Sequence, residues 1–276
     1  MPIALSGGRH FYLFTVFPKP PMADTLSLYT QLRERARQIV ARFPAVDFYR
    51  DEAAALEVSQ KVFETAPLVV RLRHQVTARL QDDFGHGMLH ATRVALDAGA
   101  LTHIEGGAAG YRGRYLQRRI CIVHCASLLH DIQRKQSNHA EQGASLAAEL
   151  LAQHPLGADE KEDICIAIRN HEAFKATVSV NTPEGALVSD CLYDADKFRW
   201  GPDNFTDTLW AMVAFRQPTL RDFVRLYPAG MKSLARIKTT FRTPTGRKYG
   251  PRFIDLGIAV GEELYRVITT EFADHL

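Results

Sequence analysis

This sequence predicts an all-α fold, and three observations carry the prediction. Apolar residues recur at helical spacing through most of the chain. Strand signals are sparse, the best being the short stretch 177–180. No repeat of the solenoid kind appears. The bulk figures agree with a globular domain. The chain has 276 residues, 24% charged and 46% hydrophobic, enough to bury a core. Gly (18) and Pro (13) are not in excess, which excludes fibrous and low-complexity classes. A formal net charge of +3 is too mild for a general nucleic-acid binder.

The elements follow in order. Residues 26–43 read as an amphipathic helix, 52–63 as a second and 68–80 as a third. Residues 88–101 continue the pattern. The chain then loosens into an expected loop at Gly106, Gly107, Gly110 and Gly113. Residues 115–129 are strongly apolar and read as a buried helix, followed by helices at 140–152, 160–169 and 185–198. Residues 1–65 form an N-terminal extension, 66–200 a central domain, and 201–276 a C-terminal helical extension packed on the same core. Within 225–252 eight Lys or Arg occur with no Asp or Glu, and Thr243-Pro244-Thr245-Gly246-Arg247 inside that stretch reads as a turn.

No run of about 18 apolar residues exists, so no membrane-spanning helix is expected. The early apolar run at 11–17 lacks the flanks of a signal peptide, and Met22 offers a second start. Cys121, Cys125, Cys165 and Cys191 form no C-x-x-C pair, so reduced thiols in a cytoplasmic protein are expected. Cys121, His124 and Cys125 share a helix face but have no evident fourth ligand, and read as core residues. Trp200 and Trp210 read as core or pocket walls.

Histidine is the informative residue. His86 and His90 share a helix face in Gly85-His86-Gly87-Met88-Leu89-His90. The apolar helix at 115–129 then runs into an adjacent His130-Asp131 pair. Burying both groups without partners would cost several kcal/mol, a cost a bound metal removes. Asp194-Ala195-Asp196-Lys197 closes another apolar helical stretch, and His139 and His171 lie between the two motifs.

The order His90, His130-Asp131, Asp196 resembles the HD-domain superfamily of metal-dependent phosphohydrolases, over residues 86–200. The resemblance implies a helical bundle and a divalent metal held by His90, His130, Asp131 and Asp196, with Asp194 the alternative last ligand. Imidazole and carboxylate donors suit Mn, Fe, Co, Ni, Mg or Zn, as one ion or two. It also implies hydrolysis of a phosphoester or phosphoanhydride in a small phosphorylated, nucleotide-like substrate, by metal-activated water. In that reading His130 and Asp131 are catalytic together with Arg134 and Lys197. Arg134 and Lys197, with His86, Arg247 and Lys248, supply substrate contacts. His139 and His171 serve a second metal or a substrate phosphate, and Glu141 and Glu172 are the candidate general acids. Two alternatives stand beside it: a dinuclear-iron oxygenase on the same fold, and a non-enzymatic nucleotide-binding regulatory module.

Overall fold

A computed structural model describes residues 22–77, 79–80, 87–216 and 218–276. Among these residues it contains twelve α-helices and no strand, an all-α architecture as the periodicity predicts. The helices are α1 (Met22–Val40), α2 (Phe48–Asp51), α3 (Ala53–Thr65), α4 (Pro67–Thr77), α5 (Met88–Ala108) and α6 (Gly113–Leu129). They continue with α7 (His139–Leu151), α8 (Ala158–Arg169), α9 (Pro183–Phe198), α10 (Leu209–Arg216), α11 (Leu220–Ile237) and α12 (Pro244–Glu271). A π-helical turn, Asn204–Thr208, precedes α10.

Helix α5 is the hub. It packs against α3, α6, α9 and α12 and buries Val94, Ala95, Ala98 and Leu101. Its small residues let neighbours approach closely. A Cβ on Gly99 would collide with the side chains of Ser59 on α3 and His124 on α6. Helix α6 is buried continuously from Arg119 to Leu129, which is why its sequence lacks a polar stripe. Helices α8 and α9 pair beside it, and α7 covers α8. Helix α1 buries Tyr29, Leu32, Ala36 and Ile39, one face at helical spacing, against α10, α12 and the π-helical turn. The C-terminal helices share one apolar cluster with α3–α9. Phe198 on α9 stacks on Phe253 of α12 at 4.2 Å between ring centroids.

Three local expectations are corrected. The stretch 177–180 forms no strand. The Asn170 side chain accepts from the Val178 N–H (2.7 Å) and donates to its carbonyl (3.0 Å), replacing a neighbouring strand. The expected glycine loop is shorter than its composition suggests, because Gly106 and Gly107 lie inside α5. Only residues 109–112 connect the helices, and Gly110 (φ +90°) and Gly113 (φ +54°) take the left-handed conformations of that turn. The segment Thr243–Arg247 is the start of α12 rather than a free turn.

That helix start recurs. Thr182-Pro183-Glu184-Gly185 opens α9 and Thr243-Pro244-Thr245-Gly246 opens α12. In each, the threonine hydroxyl accepts from the glycine N–H, and proline occupies the first turn, where it lacks no needed donor. In each, the same hydroxyl donates to a buried aspartate: Thr182 to Asp163 (3.2 Å) and Thr243 to Asp194 (2.8 Å).

Candidate metal centre

Four helix ends and one tight turn converge on five buried residues. His90 lies in the first turn of α5, His130 and Asp131 directly follow α6, His139 opens α7, and His171 follows α8 by two residues. Helix α7 reaches the end of α6 through Gly143, one turn beyond His139 on the same face. A Cβ there would stand 3.4 Å from the His130 carbonyl.

The Asp131 carboxylate lies between two histidine pairs. Its Oδ2 is 3.5 Å from His130 Nε2 and 3.9 Å from His90 Nε2. Its Oδ1 is 3.5 Å from His171 Nε2 and 3.7 Å from His139 Nε2. Within the pairs, His90 and His130 approach to 3.3 Å between Nε2 atoms, and His139 and His171 to 3.2 Å. Among the described residues, two groups could therefore hold a metal ion, His90–His130–Asp131 and Asp131–His139–His171, sharing one aspartate.

The tautomers suit this role. His130 Nδ1 donates to the Ser127 carbonyl (2.7 Å), and His171 Nδ1 donates to the Ile168 carbonyl (2.6 Å). With its proton on Nδ1, each ring turns an Nε2 lone pair into the cluster. Burial also keeps imidazoles neutral, as a metal ligand must be. His130 is held below its ordinary pKa by burial, against the pull of Asp131 and Asp196. His139 is pushed down to about 3 by burial and by the adjacent Arg134. A set of nitrogens and carboxylate oxygens without thiolates fits a divalent first-row metal.

Asp196 and Asp194, two residues apart on α9, have different partners. Asp196 Oδ1 lies 3.3 Å from His90 Nε2 and 3.8 Å from His130 Nε2. Burial alone would raise its pKa, but Lys197, His90 and His130 outweigh that and hold the carboxyl well below the usual range. Asp194 instead accepts from the Arg242 and Thr243 N–H groups and from the Thr243 hydroxyl, each at 2.8 Å. It fastens α9 to the start of α12.

Lys197 is buried rather than solvated. Its ammonium is buried, donates to Asp196 Oδ2 and to the His171 carbonyl (2.9 Å), and lies over the Tyr193 and Trp200 rings. Arg134 does face the cluster, with Nη1 2.8 Å from His139 Nε2. Arg247 and Lys248 do not join it. Arg247 donates to the Phe241 carbonyl, and Lys248 donates to the Tyr249 hydroxyl 3.9 Å from Glu52. Glu141 pairs with Arg169 on the surface (3.0 Å), whereas Glu172 lies 3.8 Å from His139 Nδ1. His86 lies outside the described residues. Cys121, Cys125 and His124 are core groups, as their apolar surroundings predict. Trp210 is also core, donating to the Phe205 carbonyl.

Two participants escaped the sequence reading. Arg242, one of eight cations in the basic stretch, donates to the Asn170 carbonyl (2.9 Å) and stacks on Tyr193 at 3.6 Å. It thus braces the backbone next to His171. Nothing in its local sequence separates it from Arg247. On the His90 side, a shallow depression is lined by Leu89, His90, Arg93, Arg199, Asp203 and Asp207.

Comparison of the chain with protein-family models, with curated proteins and with solved structures finds no match. The class defined by fold and site is therefore an all-α protein with a buried His/Asp cluster able to hold metal. No helix among the described residues is long and apolar enough to cross a membrane.

Proposed function

We propose that this chain is a metal-dependent hydrolase that cleaves a phosphoester or phosphoanhydride in a small, nucleotide-like substrate. The observation that carries the reading is the Asp131 carboxylate, with one oxygen toward each histidine pair. If each pair held an ion, Asp131 would serve both, and two-ion sites suit phosphoryl displacement. The resemblance of His90, His130-Asp131 and Asp196 to the HD-domain phosphohydrolases supports the phosphorus chemistry.

Bound divalent metal supplies hydroxide near neutral pH and polarises a phosphoryl oxygen. The chain's residues do the rest. Ser127 and Ile168 orient His130 and His171 through their Nδ1–H groups. Lys197 neutralises the far oxygen of Asp196, leaving Oδ1 toward His90. Arg134, whose side chain is 35% exposed, is a cation at the cluster with access to an incoming anion. Glu172 faces His139 and is the carboxylate best positioned to exchange a proton at the site.

His130→Ala and Asp131→Ala should each lose bound metal and phosphatase activity against a nucleotide panel with Mn²⁺ and Co²⁺, while helical circular dichroism stays near wild type. Activity that survives both substitutions overturns the reading. The Asp131–His139–His171 group also favours a second reading, a dinuclear-iron oxygenase. About two irons per chain with oxygen consumption, and no phosphate release, would select it.

A further inference from the structure

We infer that Phe174 is a stacking platform for the aromatic base of the substrate and so selects nucleotides from other phosphate esters. The inference rests on the hydrolase reading above and names what that site recognises beyond phosphate. Phe174 is the one non-glycine residue among the described residues with positive φ (+62°). That left-handed conformation strains a bulky residue and favours glycine or asparagine. Burial does not account for the ring either. Phe174 is 51% exposed and stands apart from the apolar cluster that Ile168 and Ala173 join. Neither backbone preference nor the core explains a phenylalanine here, and strain of this kind gathers where a side chain has a task.

The surroundings fix what the ring can meet. The Arg236 guanidinium, from α11, lies 4.3 Å from the ring centroid and takes one face. The exposed half of the residue remains open to a second flat group, and every nucleobase offers such a face. The turn that carries the ring is held at both ends. Ahead of it, Arg242 and Lys197 donate to the Asn170 and His171 carbonyls, each at 2.9 Å. Behind it, the Asn170 side chain closes the loop on the Val178 backbone. An aromatic side chain on an ordered turn loses little freedom when a ligand stacks on it.

The ring also stands beside the histidine cluster. Phe174 follows His171 by three residues, so their Cα atoms are at most about 11 Å apart. Between them, Glu172 lies 3.8 Å from His139 Nδ1, and Arg134 reaches the other nitrogen of that imidazole. A mononucleotide bridges such a span, with its phosphate at Arg134 and its base on Phe174. Lys175, exposed next to the ring, adds positive charge to the approach. Stacking on an aromatic side chain contributes about 5- to 150-fold per base and tolerates any base. A phosphate ester without a base gains nothing from it.

The test compares two ligands, adenosine and ribose carrying the same 5′-phosphonate, in which carbon replaces the cleavable ester oxygen. Each is titrated calorimetrically into full-length protein with Mn²⁺, as wild type, Phe174→Ala, Phe174→Gly and Phe174→Trp. Phosphate release from a nucleotide panel is assayed on the same wild-type preparation. Wild type should bind the adenosine ligand about 5- to 150-fold more tightly than the ribose ligand. Phe174→Trp should keep the preference, and the other two variants should lose it. Glycine suits φ +62°, so a loss in Phe174→Gly does not come from a distorted turn. Equal affinities in wild type, or a preference that survives in Phe174→Gly, overturns the inference; phosphate release then leaves the hydrolase reading standing. Binding of neither ligand also overturns the inference, and if phosphate release is absent too, the hydrolase reading falls with it. A preference that depends on Phe174 without phosphate release keeps the platform and overturns the hydrolase reading instead.

Discussion

Replacing Asp194 with alanine separates a structural aspartate from the proposed metal ligand, Asp196, two residues away. Asp194 accepts three hydrogen bonds, from the Arg242 N–H, the Thr243 N–H and the Thr243 hydroxyl. Alanine offers no acceptor, and Thr243 is only 5% exposed, so water does not easily replace the lost partner. Each bond is worth about 1 kcal/mol net, and an orphaned buried N–H costs about 1–3 kcal/mol. Removing a carboxylate whose pKa burial has raised to about 6 returns part of this. The net cost is roughly 3 kcal/mol, or about 6–12 °C in melting temperature for a domain of this size. Thermal unfolding followed at 222 nm in excess chelator isolates this from metal binding, which would itself shift the midpoint. Metal content of the same preparations is the second readout. Asp194→Ala should melt early yet retain metal when folded, whereas Asp196→Ala should lose metal. An Asp194→Ala protein that melts like wild type in chelator but binds less metal refutes the assignment.

Two further outcomes concern the core. His124 is wholly buried, donates Nε2–H to Ser59 and has its pKa pushed by burial down to about 3, against about 6.5 in the unfolded chain. Its folded pKa is depressed, so the unfolded state binds the extra proton as pH falls. The stability it contributes is complete above pH 6.5 and declines by about 1.4 kcal/mol per unit between 6.5 and 3. Urea unfolding from pH 7 to 5 should show this slope in wild type relative to His124→Gln; parallel profiles would refute it. Gly99→Ala should cost about 1–3 kcal/mol by driving a methyl into Ser59 and His124. An unchanged urea midpoint would mean that α3 and α5 separate more easily than their packing implies.

Much of the fold was legible because the packing follows periodicity. The unbroken apolar run of α6 announced a buried helix, and the order of His90, His130-Asp131 and Asp196 marked the residues that converge. What escaped depends on contacts between distant segments. Spacing cannot show that the two oxygens of Asp131 face different histidine pairs, or that Lys197 turns inward. That Asp194 is engaged by backbone N–H groups depends on Arg242 and Thr243, 48 and 49 residues later. Thr243-Pro244-Thr245-Gly246 read as a turn because turn and helix-start chemistry use the same residues. The acceptor for its hydroxyl lies on another helix.

His130 and His171 each end just past a helix and tie Nδ1 to the carbonyl three residues back. The aim of both rings is thus set by where α6 and α8 stop. One residue inserted into the last turn of either helix would rotate its histidine by about 100° and advance it by about 1.5 Å. The ring would then point away from Asp131 even with every residue of the cluster still present in the sequence. Length variation should be tolerated in the 109–112 connection and barred from 127–131 and 168–171, so the centre depends on residue count as strictly as on residue identity.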